Sequence, residues 1–161
     1  MAKVFFPRIF YGQLFLTFKC MRKAFKSRKI DHKYEKVMLV DDNEMDNFIN
    51  QKILEANHFA QTIYTNTNGI SALEFLKNLF KNESLLNGYP EIIFVDLNMP
   101  LMNGFQFIEK FLEFPEEVTK RCKIIILTSS LNPGDRENAN KIDPTIKFLY
   151  KPLSPSILNE L

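Results

Sequence analysis

Short apolar runs and segments of helical period alternate along the chain from Val37 to its last residue. The runs are rich in Val, Ile, Leu, Phe and Thr, which is typical of strands. The segments between them have apolar positions three and four residues apart, which is typical of amphipathic helices. The predicted strands are residues 37–41, 62–65, 91–96, 123–128 and 145–150, and the predicted helices are residues 45–54, 70–80, 105–114, 135–142 and 154–161.

This alternation predicts an α/β fold. Five strand–helix units with nearly continuous apolar strands indicate a five-stranded parallel sheet with helices on both faces, joined by right-handed crossovers. In the first helix, the apolar positions at Met45, Phe48, Ile49 and within Lys52 to Leu54 define the face that we expect to pack on the sheet.

The residues after the first strand indicate the order of the strands. A dinucleotide-binding domain would have Gly-x-Gly there, whereas this chain has Asp-Asp-Asn-Glu at residues 41–44. We therefore predict the flavodoxin-like order 2-1-3-4-5. Ligands of such sheets bind at the carboxyl ends of the first and third strands. These are the strands that end in Asp41-Asp42 and Asp96.

Charge divides the chain after Lys36. Residues 1–36 carry ten Lys/Arg and two acidic residues, a net charge of +8, and the remainder carries eleven Lys/Arg and seventeen acidic residues, a net charge of −6. We interpret residues 1–35 as a basic, aromatic-rich extension and residues 36–161 as one domain, which is long enough to bury its own core. Cys20 and Cys122 have no metal-ligand spacing, so a reduced, cytoplasmic protein is predicted.

The extension has several interpretations. A signal peptide is disfavoured because Pro7 and Arg8 interrupt the apolar run and no small-residue cleavage site follows. Aromatic and basic residues together suit a segment on an anionic membrane surface, and they also suit nucleic acid, although no recognition motif accompanies them. The interpretation that we favour is an extended gene start, with translation beginning at Met21.

Three carboxylates at neighbouring strand ends repel one another unless a cation lies among them. Since no Cys or His is nearby, Asp41, Asp42 and Asp96 predict Mg²⁺ or Mn²⁺. Such a site could hydrolyse a phosphate ester, or Asp96 could attack a phosphoryl donor and hold the acyl phosphate. In the second case Lys151 supplies positive charge, and Thr128, at the end of the fourth strand, offers a hydroxyl to a phosphoryl oxygen.

Taken together, residues 36–161 resemble a response-regulator receiver domain of two-component signalling. Asp41-Asp42 matches the acidic pair of that family, Asp96 its phospho-acceptor, Thr128 its switch hydroxyl and Lys151 its invariant lysine. Any one of these positions alone is a weak signal. Five of them in order on predicted strand ends make chance agreement a poor explanation.

The loop after the third strand adds to the resemblance. Residues 96–104, Asp-Leu-Asn-Met-Pro-Leu-Met-Asn-Gly, are similar to the family's hallmark loop, and Asn98 matches the position whose main-chain carbonyl binds the metal. Lys151-Pro152 resembles the family's cis peptide. Phe148 stands at the aromatic switch position, where Tyr is the commonest residue.

The resemblance implies a phosphorylation-dependent switch in a phosphorelay. Asp96 would accept a phosphoryl group from a histidine kinase or phosphotransfer protein with Mg²⁺, Thr128 would move inward, and Phe148 would turn into the space. The changed surface would lie on the predicted fourth helix (135–142), fifth strand (145–150) and fifth helix (154–161). The predicted domain reaches residue 161, so we expect a stand-alone receiver without a DNA-binding domain, which acts on a downstream protein and is open to phosphorylation-linked dimerisation.

Two other functions stay open. A Mg²⁺-dependent phosphohydrolase usually has a second Asp two residues after the nucleophile, where this chain has Asn98, so a stored acyl phosphate is favoured over a turnover enzyme. A receiver-like docking module that is never phosphorylated is the other alternative. It would have no physical need of three carboxylates that repel one another.

Overall fold

A computed structural model describes residues 31–81 and 88–161. Its strands are Tyr34–Val40 (β1), Ala60–Asn66 (β2), Ile92–Val95 (β3), Lys123–Thr128 (β4) and Lys147–Tyr150 (β5). Its helices are Glu44–Ala56 (α1), Gly69–Lys81 (α2), Gly104–Leu112 (α3), Glu116–Thr119 (α4), Pro133–Ile142 (α5) and Pro155–Asn159 (α6).

The five strands form one parallel sheet in the order β2-β1-β3-β4-β5. This confirms the predicted fold class and strand order. Val40, at the end of β1, pairs with Asn66 of β2 on one side and Val95 of β3 on the other. All carboxyl ends of the strands therefore lie along one edge of the sheet.

Side chains of the central strands alternate between two cores, one on each face of the sheet. Val37 and Leu39 of β1 belong to the core that also contains Leu54 of α1 and Leu158 of α6. Met38 and Val40 belong to the other core, to which helices α2 to α5 contribute. Burial on both faces explains why these strands are apolar at every position rather than at alternate ones.

The first strand begins earlier than predicted, at Tyr34. The Tyr34 ring lies 5.0 Å from that of Phe59, and its hydroxyl donates to the main-chain oxygen of Leu161 at 3.0 Å. The polar residues Glu35 and Lys36 hid this start in the sequence pattern. Residues 1–30 lie outside the described residues, and so do the interpretations placed on them.

The packed face of α1 differs from the prediction. Met45 and Phe48 are 62% and 55% exposed, and Ile49 is also exposed, whereas Asn47 and Asn50 are buried. The prediction was therefore wrong for Met45, Phe48 and Ile49, whereas Leu54 at the end of the predicted stripe is buried as expected. The two asparagines are accommodated because their amides bond to main-chain groups, as described below.

Smaller differences affect the last third of the chain. The short helix α4 follows Pro115, where no helix was predicted, and β5 begins at Lys147 rather than at residue 145. Cys122 is buried just before β4, its thiol donates to the Pro90 oxygen at 2.8 Å, and burial raises its pKa to about 12. None of the helices in the described ranges has both the length and the hydrophobicity that a membrane-spanning segment needs.

Candidate functional site

Main-chain hydrogen bonds extend the sheet one residue beyond the strand ends and place the predicted residues side by side. The Asp41 N–H donates to Asn66 at 3.0 Å, and the Asp96 N–H donates to Val40 at 2.9 Å. The Lys151 N–H continues the pairing of β5 with β4 in the same way, at 3.0 Å. The structure thus brings the acids and the lysine together at one edge of the sheet.

Three carboxylates meet at this edge, as predicted. Asp41 and Asp96 are 5% and 4% exposed, and Asp42 is exposed. One carboxylate oxygen from each of the three lies within 4.8 Å of the others. Negative charges at this spacing repel one another, and burial of two of them reduces screening by water.

The main chain fixes one oxygen of each buried carboxylate. Asp41 Oδ1 accepts from the Asn43 N–H at 3.0 Å, and Asp96 Oδ2 accepts from the Asn98 N–H at 2.7 Å. Both are bonds from a residue two positions along the chain, which is the geometry of an Asx-turn. The other oxygens, Asp41 Oδ2 and Asp96 Oδ1, are left to face the lysine.

The Lys151 ammonium lies among the carboxylates. Its nitrogen is 2.6 Å from Asp41 Oδ2, 2.9 Å from Asp46 Oδ2 and 3.1 Å from Asp96 Oδ1, and its side chain is 11% exposed. The Lys151-Pro152 peptide is cis, as the resemblance implied.

Burial and the ion pairs shift two pKa values at the site. Burial raises the pKa of the Asp41 carboxyl, and the hydrogen bonds from Lys151 and the Asn43 N–H offset only part of this effect. Burial alone would lower the pKa of Lys151, but hydrogen bonds to Asp41 and Asp46 and the charge of Asp96 raise it above its ordinary value. Lys151 is therefore a permanent cation at physiological pH.

Two residues of α1 belong to this site and were missed in the sequence. Asp46 accepts a hydrogen bond from Lys151, and Asn47 donates through Nδ2 to the main-chain oxygens of Asp41 at 2.7 Å and Asn66 at 3.3 Å. Asn47 thereby ties the acidic loop after β1 to the end of β2. An acidic residue in the first turn of a helix is usual, because it stabilises the helix, so nothing in the sequence distinguished Asp46.

The carboxylates fit a divalent cation. In the part of the chain that the structure describes, two buried side-chain oxygens have no hydrogen-bond donor, Asp96 Oδ1 and Asn47 Oδ1. The orphaned oxygen of Asp96 belongs to the three-carboxylate cluster, whose negative charge exceeds the single positive charge of Lys151. Hard oxygen ligands with excess negative charge suit Mg²⁺ or Mn²⁺.

Thr128 lies at the end of β4 and is fully buried. Its Oγ1 accepts from the Ser130 N–H at 3.1 Å, and the Ser130 hydroxyl donates to Asp135 Oδ2 at 2.6 Å. Asp135 is in the first turn of α5. A chain of hydrogen bonds therefore joins the predicted switch hydroxyl to the start of that helix.

Phe148 lies on the edge strand β5 and is half-buried. The Arg136 guanidinium of α5 is 5.5 Å from the centre of its ring, and the Tyr150 ring meets it edge-on at 5.6 Å. The aromatic side chain thus packs between the edge strand and the same helix that Ser130 contacts.

Gly104, at the end of the loop after β3, lies very close to the main chain of Asp96 and Leu97. A Cβ atom at this residue would overlap the main-chain oxygen of Asp96 and lie 2.9 Å from Leu97 Cα. Its N–H donates to the Leu97 oxygen at 3.0 Å. Only a residue without a side chain allows α3 to begin this close to Asp96.

Replacing Lys151 by a neutral residue should lower the stability of the folded protein when no metal ion makes up for the lost positive charge. We expect Lys151→Met to lower the free energy of unfolding by about 2 kcal/mol in EDTA, because a nearly buried cluster of carboxylates loses its partner. Saturating Mg²⁺ should restore most of the loss. The measurement is urea unfolding in EDTA and in Mg²⁺.

The control for this prediction is Lys120→Met, since Lys120 pairs with Glu116 on the surface at 72% exposure. This variant should change stability by less than about 1 kcal/mol in either buffer. An equal loss in both lysine variants, or a loss at Lys151 that Mg²⁺ leaves unchanged, would contradict the electrostatic explanation.

A family model described as the response regulator receiver domain matches residues 37–161 of this chain. Among curated proteins, the chain is 26% identical over 99 residues to response regulator Rcp1 of Synechocystis, covering 62% of this chain and 65% of that protein. It is 31% identical over 125 residues to the sensor histidine kinase CheAY of Helicobacter pylori, covering 76% of this chain and 14% of that protein. The chain spans less than two thirds of the length of both relatives.

Solved structures show the same likeness. The crystal structure of a two-component response regulator from Cytophaga hutchinsonii has 30% sequence identity and a TM-score of 0.70, and the match covers 78% of this chain and 92% of that one.

Proposed function

This chain belongs to the response-regulator receiver family, and we propose that Asp96 is the residue at which it is phosphorylated. Members of the family are phosphorylation-dependent switches of two-component signalling. The observation that supports Asp96 most directly is its carboxylate, which is 4% exposed, with one oxygen held by the Asn98 N–H and the other facing Lys151. A nearly buried carboxylate with one oxygen fixed is oriented for attack in one direction.

The chemistry is transfer of a phosphoryl group to a carboxylate. An oxygen of Asp96 forms a bond to phosphorus while the bond from phosphorus to the donor's leaving atom breaks, and the leaving atom keeps the electron pair. Lys151 offsets negative charge on the phosphoryl oxygens. Asp41, Asp42, Asp96 and the main-chain carbonyl of Asn98 would hold Mg²⁺ or Mn²⁺, which when bound supplies further neutralisation of phosphoryl charge.

Thr128 and Phe148 are proposed to transmit the change. The Thr128 hydroxyl accepts from Ser130 through its oxygen, so its proton is free to be donated to a phosphoryl oxygen. Movement of Thr128 would pull on Ser130, whose hydroxyl is bonded to Asp135 of α5. Phe148, packed against Arg136 of the same helix, would then repack, and the surface of α5 and β5 would change.

The partners follow from this chemistry. Receiver domains interact with histidine kinases or phosphotransfer proteins, and we propose one of these as the phosphoryl donor of this chain, in the cytoplasm where such a kinase acts. The output is proposed to be contact with a downstream protein, with dimerisation through the surface of α5 and β5 as one form of it. The family is one of switches rather than turnover enzymes, and slow hydrolysis of the chain's own acyl phosphate is part of the proposal.

Treatment with acetyl phosphate tests the function. Wild-type protein is incubated with acetyl phosphate and Mg²⁺, or with acetyl phosphate and EDTA, and its intact mass is measured together with the phosphate released. One added phosphoryl group in Mg²⁺ only is the expected result. No adduct on folded protein would favour the docking module, and continuous phosphate release without an adduct would favour the phosphohydrolase.

A further inference from the structure

The ammonium of Lys151 is shared by residues from three different parts of the chain. Asp41 follows β1 and Asp96 follows β3, but Asp46 comes from the first turn of α1 and is 32% exposed at its side chain. The Lys151–Asp46 bond, at 2.9 Å, is as well formed as the strand-end contacts. Because Asp46 does not lie at the end of a strand, the strand order alone does not explain its contact with Lys151.

The contacts of Lys151 with its three carboxylate partners differ in geometry. An ammonium group has three N–H donors. Lys151 Nζ donates to Asp46 Oδ2 at 2.9 Å and lies 2.6 Å from Asp41 Oδ2, while Asp96 Oδ1, at 3.1 Å, forms an ion pair without a hydrogen bond and has no donor from any described residue. Asp46 therefore takes a share of the lysine's donors that the phospho-acceptor does not receive.

We propose that Asp46 is a positioning residue that draws Lys151 away from Asp96 and thereby strengthens Mg²⁺ binding while slowing phosphoryl uptake. The proposal rests on the proposed function for its second half only. The effect on Mg²⁺ binding involves only the metal ion and the carboxylates, so it can be measured without any phosphoryl donor.

The two effects have opposite signs for one electrostatic reason. Asp46 adds negative charge near the three carboxylates and occupies the lysine that would otherwise neutralise them, so a divalent cation is bound more tightly. The same negative charge repels an anionic phosphoryl donor and holds the ammonium that should meet its oxygens. Loss of the Asp46 charge should therefore weaken Mg²⁺ binding and accelerate phosphoryl uptake.

A purely structural role for Asp46 makes a different prediction. An acidic residue in the first turn stabilises the helix through its dipole, and Glu44 in the same turn would do the same. Among the described residues, the ion pairs found include none with Glu44. Glu44→Gln therefore removes a carboxylate from the same turn and leaves Lys151 unchanged.

The test compares Asp46→Asn with Glu44→Gln and wild type. Mg²⁺ affinity is measured by isothermal titration calorimetry with the metal alone, and the rate of phosphoryl uptake is measured by intact mass with acetyl phosphate at Mg²⁺ concentrations that saturate each protein. In Asp46→Asn we expect Mg²⁺ affinity to fall about threefold to tenfold and the uptake rate to rise about threefold to tenfold, as the loss of one partly exposed charge implies. Glu44→Gln should stay within about twofold of wild type in both measurements.

Other outcomes overturn the proposal in different ways. If both quantities fall together in Asp46→Asn, or if this variant behaves like Glu44→Gln, Asp46 does not position the lysine. Urea unfolding of each variant shows whether a fall reflects loss of structure. If wild type takes up no phosphoryl group, the proposed function fails, and an unchanged Mg²⁺ affinity in Asp46→Asn would separately refute the effect on the cation.

Discussion

Asp96→Asn is expected to abolish phosphoryl uptake completely while making the protein more stable in EDTA. Loss of uptake follows because an amide oxygen is a poor nucleophile and cannot form the acyl phosphate. Stability should rise by roughly 1 kcal/mol, because one of three crowded carboxylates becomes neutral while Lys151 keeps Asp41 and Asp46 as partners.

The measurements are intact mass after acetyl phosphate and Mg²⁺, and urea unfolding in EDTA. Asp143→Asn is the control, since Asp143 lies at the end of α5 and bonds to Thr145 rather than to the acidic cluster. It should accept a phosphoryl group as wild type does. An adduct that persists in Asp96→Asn would place the acceptor on another residue, with Asp41 and Asp42 as the next candidates.

Gly104→Ala is the second substitution with a large expected effect. A methyl group would overlap the main-chain oxygen of Asp96, and the main chain has no rotamer with which to move away. Either α3 or the end of β3 must shift, so we expect the free energy of unfolding to fall by about 3 kcal/mol. Phosphoryl uptake should also slow, because the same shift displaces the Asp96 carboxylate.

Gly134→Ala is a matched control, because Gly134 is also at the start of a helix. A Cβ atom there would lie 3.4 Å from Asn132 Oδ1, an ordinary contact with a side chain. We expect a change within about 0.5 kcal/mol for this variant. The measurement is urea unfolding of both variants beside wild type, and similar losses for the two alanines would show that close approach to Asp96 is not what requires Gly104.

The residues that end strands could be found in the sequence, because a parallel sheet brings its carboxyl ends together whatever the details of packing. Asp41, Asp96 and Lys151 each follow a run of apolar residues, so their meeting follows from the strand order alone. Thr128 was located by the same argument. Their chemical roles came from the resemblance, and the roles of Asp96, Thr128, Phe148 and Lys151 stay predictions until they are measured.

Contacts that depend on helix rotation could not be found in this way. The apolar period of α1 included Met45, Phe48 and Ile49 in the buried face, but the helix turns Asn47 and Asn50 inward in their place. These asparagines bond to main-chain groups of Asp41, Asn66 and Leu153, and such bonds leave no periodic signal. The same rotation brings Asp46 to Lys151, which is why its contact was missed.

Because the sheet is parallel, the carboxyl ends of its strands form one edge, which carries the proposed site, and the amino ends form the opposite edge. The residues proposed for phosphoryl chemistry lie at or just beyond the carboxyl ends of strands, whereas turns such as 57–59 and 143–146 lead into the amino ends of β2 and β5. Reporter peptides or fluorescent labels attached at those turns would stand about a strand's length from the acids. For a sensor built from this domain, those turns are the natural attachment points, because the linker would not compete with the phosphoryl donor for space.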